Sequence, residues 1–476
     1  MNRRTFVTVS GLGACLGHSA KPLSPLPSGI REVTRNRLAL TSPPDKPREG
    51  VMRYALSFPF QAGPRAIGLM AMRMTEQTLN YGFLDGSDIV LLDELSSSAS
   101  RQVFAASRNE REPGEAGGTP RLFMKSPLIG GFVPRGALLT DGSAHPHAGT
   151  GFGVGQAHWF PFSQDRFSWR DPQRRDMNEV YQLSYDGKIF TSHRTEVRPQ
   201  NEDDPLRIGV TGWAILVTGI HNAIPDGNDL LFASLAVRPD RTAVSVGVVR
   251  WVCRDRMWRP TGYDPVVLTE FKVPRGPNVM ERCPWQEPSL ARDADGSLLF
   301  SARGADAPGP NGYALRVWRS DKSGKWKQIL DAPKARLNSP VTINVAADGA
   351  PYLASNPYDA EFVPETQMNG RGREKLAVWA LSADRTSLAP PLLIRDCLAD
   401  FGEPPSASKG EKWMADHPNG MTVRLKDGKW CHILCYRVCH SPRYESSGTM
   451  PSPHSGSYVE EVRGLADPKG LWRFND

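Results

Sequence analysis

Glu287 and Arg303 lie near the two ends of WQEPSLARDADGSLLFSAR, a stretch that reads as two short strands folded at Asp295-Gly296. Folding there brings a carboxylate and a guanidinium together at one end of a small sheet. Arg303 would keep Glu287 ionised, and an ionised Glu287 could act as a general base or activate a tyrosine. A structural ion pair is the plain alternative. The spacing returns: Arg194, Arg303 and Asn356 each follow an Asp-Gly aspartate by eight residues, and a longer copy ends in Arg437. If Arg194, Arg303 and Arg437 share one pocket, they repel one another unless an anion fills the gap, and the arginine fork matches a carboxylate. That points to an acidic sugar. Local pairing with Asp or Glu is the alternative for any one of them. Glu179, in NEVYQLSYDG, holds a place related to that of Glu287. Tyr181, Tyr313, Tyr358 and Tyr436 are candidate phenols that no spacing separates; Tyr436 is carried forward as catalytic.

A second group is histidine. TDGSAHPHAGTGFGVGQAHWFPF, residues 140–162, holds His145, His147 and His158 among small residues. So many glycines are costly in a strand and cheap in a binding loop. His145 and His147 could supply a general acid or base near neutral pH. They could also bind a metal with His158, His221 or His417. His221 (HNAIPDG) and His417 (DHPNG) begin other strand units and are assigned, with His158, to substrate binding. A structural role is the alternative for each.

These side chains need a scaffold, and repetition supplies one. Asp-Gly pairs before apolar runs stand at 141–142, 186–187, 226–227, 295–296, 348–349 and 427–428. Three of the hairpins are followed by a strand ending near a tryptophan (Trp251, Trp318, Trp379), a polar turn and a further strand. Hairpin plus outer pair makes about four strands per unit, the signature of propeller blades. The fold class is therefore all-β, a six-bladed β-propeller with four-stranded antiparallel blades around a central axis. Ends of the innermost strands would converge on that axis and build one pocket from several blades.

The chain has 476 residues, 39% hydrophobic and 23% charged, with Gly 44 and Pro 41, which suits a turn-rich β fold. Net charge is +7 without a long basic run, which favours acidic glycans over nucleic acid. Residues 1–20 read as an export signal: Arg3-Arg4-Thr5-Phe6-Val7 resembles a twin-arginine motif ahead of a short apolar core. Cleavage after Ala20 would release a periplasmic or secreted protein; Leu12-Gly13-Ala14-Cys15 resembles a lipobox and would anchor it through Cys15. The core is too short to span a membrane. Residues 21–50 read as a Pro-rich linker and 51–476 as the propeller. Cys431, Cys435 and Cys439 alternate on one face of a strand, too far apart for strain-free disulfides with each other, and read as small buried residues. No P-loop or dinucleotide glycine motif is present.

With these residues in view, the chain resembles the sialidase-like, Asp-box (BNR) propeller superfamily. The likeness rests on Glu287-Pro288-Ser289-Leu290 with Asp295-Gly296 and Arg303, and on the turn Ser320-Asp321-Lys322-Ser323-Gly324-Lys325-Trp326, an Asp-box with its glycine one place late. Cys253-Arg254-Asp255-Arg256-Met257-Trp258 is a weaker relative. The resemblance implies that Glu287 is the glutamate of a Tyr–Glu nucleophile pair, with Arg303 and Arg437 as carboxylate ligands; no motif here places the family's acid/base aspartate, for which Asp165 and Asp171, after the Gly-rich loop, are the candidates. Phe132, in Gly131-Phe132-Val133-Pro134, stands where the family has an arginine. The leading expectation is an exported sialidase-like glycoside hydrolase acting on an acidic glycan as a monomer, without cofactor. A uronate polysaccharide lyase using His, Tyr and Arg, with a structural divalent metal, is the second reading. A glycan-binding propeller without turnover is the third.

Overall fold

Some strands of this chain are apolar on both faces: Asp229–Val237 (DLLFASLAV) is buried at every position after its first. Such strands need cover on both sides. The computed structural model supplies it by standing six antiparallel sheets in a ring, a six-bladed β-propeller in which each blade lies between two others. The described residues are 32–34 and, between 53 and 475, the sheets and their short turns. Residues 1–31 and 35–52 lie outside the description, as do connections 75–85, 113–120, 162–174, 200–211, 274–283, 305–313, 334–338, 359–372, 405–411, 442–453 and 464–469 and a few shorter ones.

Blade 1 is Arg53–Gly63, Ala66–Met74, Gly86–Leu92 and Arg101–Arg108. Blade 2 has Arg121–Lys125 and Ile129–Val133 sharing the inner edge of Thr150–Pro161, with Glu110–Glu112 paired beyond Arg121–Lys125, then Arg175–Tyr185 and Phe190–Pro199. Blade 3 has Ala214–Leu216 and Ile224–Asp226 sharing the inner edge of Asp229–Val237, then Ala243–Arg254 and Met257–Glu270. Blade 4 is Trp285–Arg292, Leu298–Gly304, Ala314–Ser320 and Trp326–Pro333. Blade 5 is Thr342–Val345, Pro351–Ser355, Lys375–Ala380 and Leu392–Asp396. Blade 6 is Lys412–Arg424, Trp430–Ser441 and Gly456–Arg463. Its fourth strand comes from the other end of the chain: Glu32–Thr34 pairs antiparallel with Glu461–Arg463. That strand falls inside the stretch read as a linker. The export signal lies outside the described residues. Among the described residues no helix is long and apolar enough to cross a membrane.

The Asp-Gly turns keep a consistent place, with one exception. Those at 141–142, 226–227, 295–296 and 427–428, and the turn holding Gly349, join first to second strands, so they gather at one end of the hub. Gly296 shows why glycine is needed, with φ at 87°. The exception is Asp186-Gly187, which joins the third and fourth strands of blade 2. Trp251, Trp318 and Trp379 all lie on third strands and are buried, so the outer repeat unit is as read. Their packing is between blades: Trp251 stacks on Phe152 of blade 2 at 3.9 Å.

Polar side chains staple neighbouring blades, giving backbone groups at the interfaces partners that no ladder supplies. Gln61 of blade 1 both donates to and accepts from the Arg424 backbone of blade 6. Gln182 of blade 2 does the same with Trp258 of blade 3. Ser289 of blade 4 accepts from Ile343 of blade 5, and Asn344 of blade 5 accepts from Gly420 of blade 6. Cys253, Cys397, Cys431, Cys435 and Cys439 are free thiols, all but Cys439 fully buried.

Candidate functional site

Two first strands carry matching irregularities at the end of the hub where they begin. The ladder of blade 4 shifts register between Gln286 and Ser289, and that of blade 6 between Asp416 and Asn419. The extruded pairs are Glu287-Pro288 and His417-Pro418. Proline has no N–H to give a ladder, so it suits a bulge. The residue before it ordinarily stays extended. Glu287 and His417 instead have φ of 48° and 53°. A left-handed non-glycine residue costs on the order of 1–3 kcal/mol and re-aims its side chain.

The two side chains meet. His417 Nε2 lies 3.7 Å from Glu287 Oε1, while Arg303 Nη1 donates to Glu287 Oε2 at 3.0 Å. On its other side His417 Nδ1 contacts Asp416 Oδ1 at 3.0 Å. Asp416 is fully buried and accepts from Arg437 through Nε and Nη2, both at 2.8 Å, and from Arg373 Nη1 at 2.8 Å. Arg373 comes from blade 5, so the cluster joins blades 4, 5 and 6.

Burial would raise the Glu287 carboxyl, but the charge of Arg303 and contact with His417 outweigh it and hold Glu287 well below the usual range. Asp416 is likewise held far down: Arg437, His417 and Arg373 together overcome its burial. Both carboxylates are ionised at neutral pH. Three guanidiniums face them, leaving one positive charge in excess. Asp416 fixes Nδ1 of His417 as the donor, so Nε2 is the nitrogen that can gain or lose a proton. The arrangement offers a proton carrier, a fixed negative charge and one partly exposed guanidinium, Arg303, above two buried ones.

A loop of blade 3 closes the hub beneath this cluster. Ile220 N donates to Pro288 O at 3.2 Å, and Ile220 O accepts from the Asn419 side chain. Asn222 reaches Pro59 O of blade 1 at 2.5 Å and accepts from Gly130 N of blade 2 at 3.3 Å. Residues 219–223 thus tie together the two bulges that carry Glu287 and His417.

Of the residues singled out in the sequence, Glu287, Arg303, Arg437 and His417 converge here. The others do not. Arg194 follows the exceptional Asp186-Gly187 turn, so it stands on the outermost strand of blade 2, where Nη1 pairs with Glu179 at 2.9 Å. Tyr436 and Arg437 are consecutive in a strand and face opposite sides. Tyr436 is fully buried between blades 5 and 6, bonded to Glu460 and Arg395. His145 and His147 sit in the first turn of blade 2, at the far end of the hub. There His145 contacts Gly227 O at 3.3 Å and the Trp472 ring at 5.9 Å, and His147 packs on Trp258. Both imidazoles are shifted down by burial. His221 is buried in the blade 3 loop, its Nδ1 on Asn222 O at 2.6 Å. His158 lies in the second strand of blade 2; its side chain, with Tyr313, Asp165 and Asp171, is outside the described residues. Among the described residues no three of His, Cys, Asp and Glu gather as metal ligands. Phe132 is core, packed on Phe60 and Phe190 at 5.3 and 5.1 Å. Arg373 and Asp416 were not foreseen, because no local spacing links them to Glu287.

No protein-family model matches the chain, and no curated protein matches it in sequence. Among solved structures it is similar to Trypanosoma rangeli sialidase, with 11% identity and a TM-score of 0.48 over 90% of this chain and 59% of that one. It therefore spans less than two thirds of that sialidase. It is also similar to the α-L-arabinofuranosidase of Fusarium graminearum, with 11% identity and a TM-score of 0.45. For the α-L-arabinanase of Penicillium chrysogenum the values are 9% and 0.41. The last two each cover 90% of this chain and 97% of theirs.

Proposed function

We propose that this chain is a carbohydrate-active enzyme whose active centre is the Glu287 end of the hub, acting on an anionic sugar. The observation that carries the reading is His417, held between ionised Asp416 and Glu287 and beside the partly exposed Arg303. In glycoside hydrolysis His417 Nε2–H gives its proton to the glycosidic oxygen as the C–O bond breaks. Glu287 stabilises the oxocarbenium-like centre, and water then adds to it, its proton passing to His417 Nε2 and restoring the starting state. Arg303 and the excess positive charge favour a substrate carboxylate. One observation favours a second reaction, uronate elimination. Both carboxylates are held ionised, so the proton carrier is an imidazole: His417 could take the proton next to a uronate carboxyl as the C–O bond to the leaving sugar breaks, and that oxygen then takes a proton from His417 or water.

The test is turnover of a fluorogenic sialoside and of glucuronide and galacturonide substrates, alongside ultraviolet absorbance of unsaturated uronate from uronate polymers. Release from a glycoside supports hydrolysis, and new absorbance supports elimination. Either activity should vanish in His417→Ala and Glu287→Gln. Silence on every acidic substrate, or activity untouched by both variants, overturns the reading. We also propose export through the twin-arginine-like leader; N-terminal sequencing of the mature protein that begins at Met1 would refute it.

A further inference from the structure

The opposite end of the hub holds a cavity of about 490 Å³, within the range of small-molecule pockets. It opens between exposed Ala294 and Leu471 and half-buried Gly349 and runs inward to His221, Asn222 and Asn419. It is separate from the charged cluster, because the 219–223 loop lies between them. Its walls are mostly apolar, from Pro59, Ile224, Val345 and Met421 among others.

The charge of the lining restricts what could enter. Arg292 supplies its cation, and that guanidinium is engaged by Asp226 Oδ1 at 2.7 Å and by Pro225 O at 3.0 Å. No carboxylate lines the wall among the described residues. Two polar groups of the lining keep hydrogen-bonding capacity. Asn419 is 1% exposed, and its Oδ1 has no hydrogen-bond partner among the described residues. Thr422 Oγ1 stands 2.9 Å from His432 Nδ1, and His432 Nε2 stands 2.6 Å from the Tyr352 hydroxyl. The imidazole is kept neutral, its pKa pushed by burial down to about 3. Whichever nitrogen of the neutral imidazole carries the proton, the Thr422 hydroxyl spends one function on Nδ1, as donor or as acceptor, and keeps the other for a further partner. The wall thus pairs an amide acceptor with a hydroxyl on a mostly apolar surface whose single cation, Arg292, is already neutralised by Asp226.

We infer that this cavity is a second ligand site, for a small uncharged hydroxylated molecule of about monosaccharide size, independent of the reaction at Glu287. The full-length protein is titrated with glycerol and galactose, with glucuronate as the anionic control, and crystals are soaked in the same compounds. The expected result is a neutral polyol seated against Asn419 and Thr422 and no glucuronate there. Binding should weaken by roughly tenfold or more, about 1.4 kcal/mol, in Thr422→Val and in the mouth-blocking Ala294→Trp. Glu287→Gln should bind unchanged, which separates this site from the proposed reaction. Ordered water alone, xenon uptake without polyol binding, or polyol binding indifferent to both cavity variants overturns the inference.

Discussion

Glu287 of blade 4 and His417 of blade 6 face each other across the hub, Oε1 to Nε2 at 3.7 Å, each on the left-handed residue before a proline. Neither backbone conformation is one its residue prefers, and both serve to bring a carboxylate to an imidazole. The same strain gives the first prediction. His417→Asn tolerates a positive φ and can still donate to Asp416. Stability should stay within about 0.5 kcal/mol of the parent by urea unfolding, while turnover falls by a factor of about 10² to 10⁴. A large loss of stability would show that His417 serves the fold first.

Asp416 is the anchor of the cluster. Asp416→Asn removes the charge that two buried guanidiniums share, and such a loss costs about 3–5 kcal/mol. The pH dependence follows the depressed carboxyls. The contributions of Glu287 and Asp416 are complete above their ordinary values of 4.5 and 3.8 and are lost as pH falls below them. Acid unfolding of the parent should therefore be steep in that range and shallower in Asp416→Asn.

Gly420 has no room for a methyl group. A Cβ there would lie 2.3 Å from the Tyr352 hydroxyl and 2.9 Å from His432 Nε2. Gly420→Ala should cost about 1–3 kcal/mol. Adding Tyr352→Phe removes the nearest clashing atom, so the double variant should be more stable than the sum of the single losses implies. Additive losses in thermal unfolding would count against this contact.

Histidine burial sets a second pH window. His432 is shifted from 6.5 to about 3, and His145, His147 and His221 are shifted down as well. A lowered folded value means the unfolded chain binds the proton first, so stability falls as pH drops below 6.5. His432 alone contributes up to about 1.4 kcal/mol per pH unit. His432→Gln should flatten the stability curve between pH 6.5 and roughly 5, above the carboxylate range. An unchanged slope would sink the assignment.

Much of the scaffold was legible because propellers repeat local signals. The turn at Asp295-Gly296 and the tryptophan at 318 both carry their strand positions in the sequence. The Glu287–Arg303 pair was legible for the same reason, being two arms of one hairpin. Arg194 misled because an Asp-Gly turn looks the same whether it joins inner or outer strands. Tyr436 misled because strand alternation turns it away from Arg437. Arg373 and Asp416 were invisible, since a contact between blades depends on how whole sheets lean together, and no spacing along the chain encodes that.

The strand Glu32–Thr34, hydrogen-bonded to Glu461–Arg463, has a kinetic consequence. The ring cannot be sealed until residues 456–463 have been synthesised, because Glu32–Thr34 must wait for that partner. Until Glu32–Thr34 docks, the Gly456–Arg463 strand has an open edge, the kind of surface on which chains pair with one another. Removing residues 32–34 should therefore slow refolding and promote association more than the loss of so few residues would suggest.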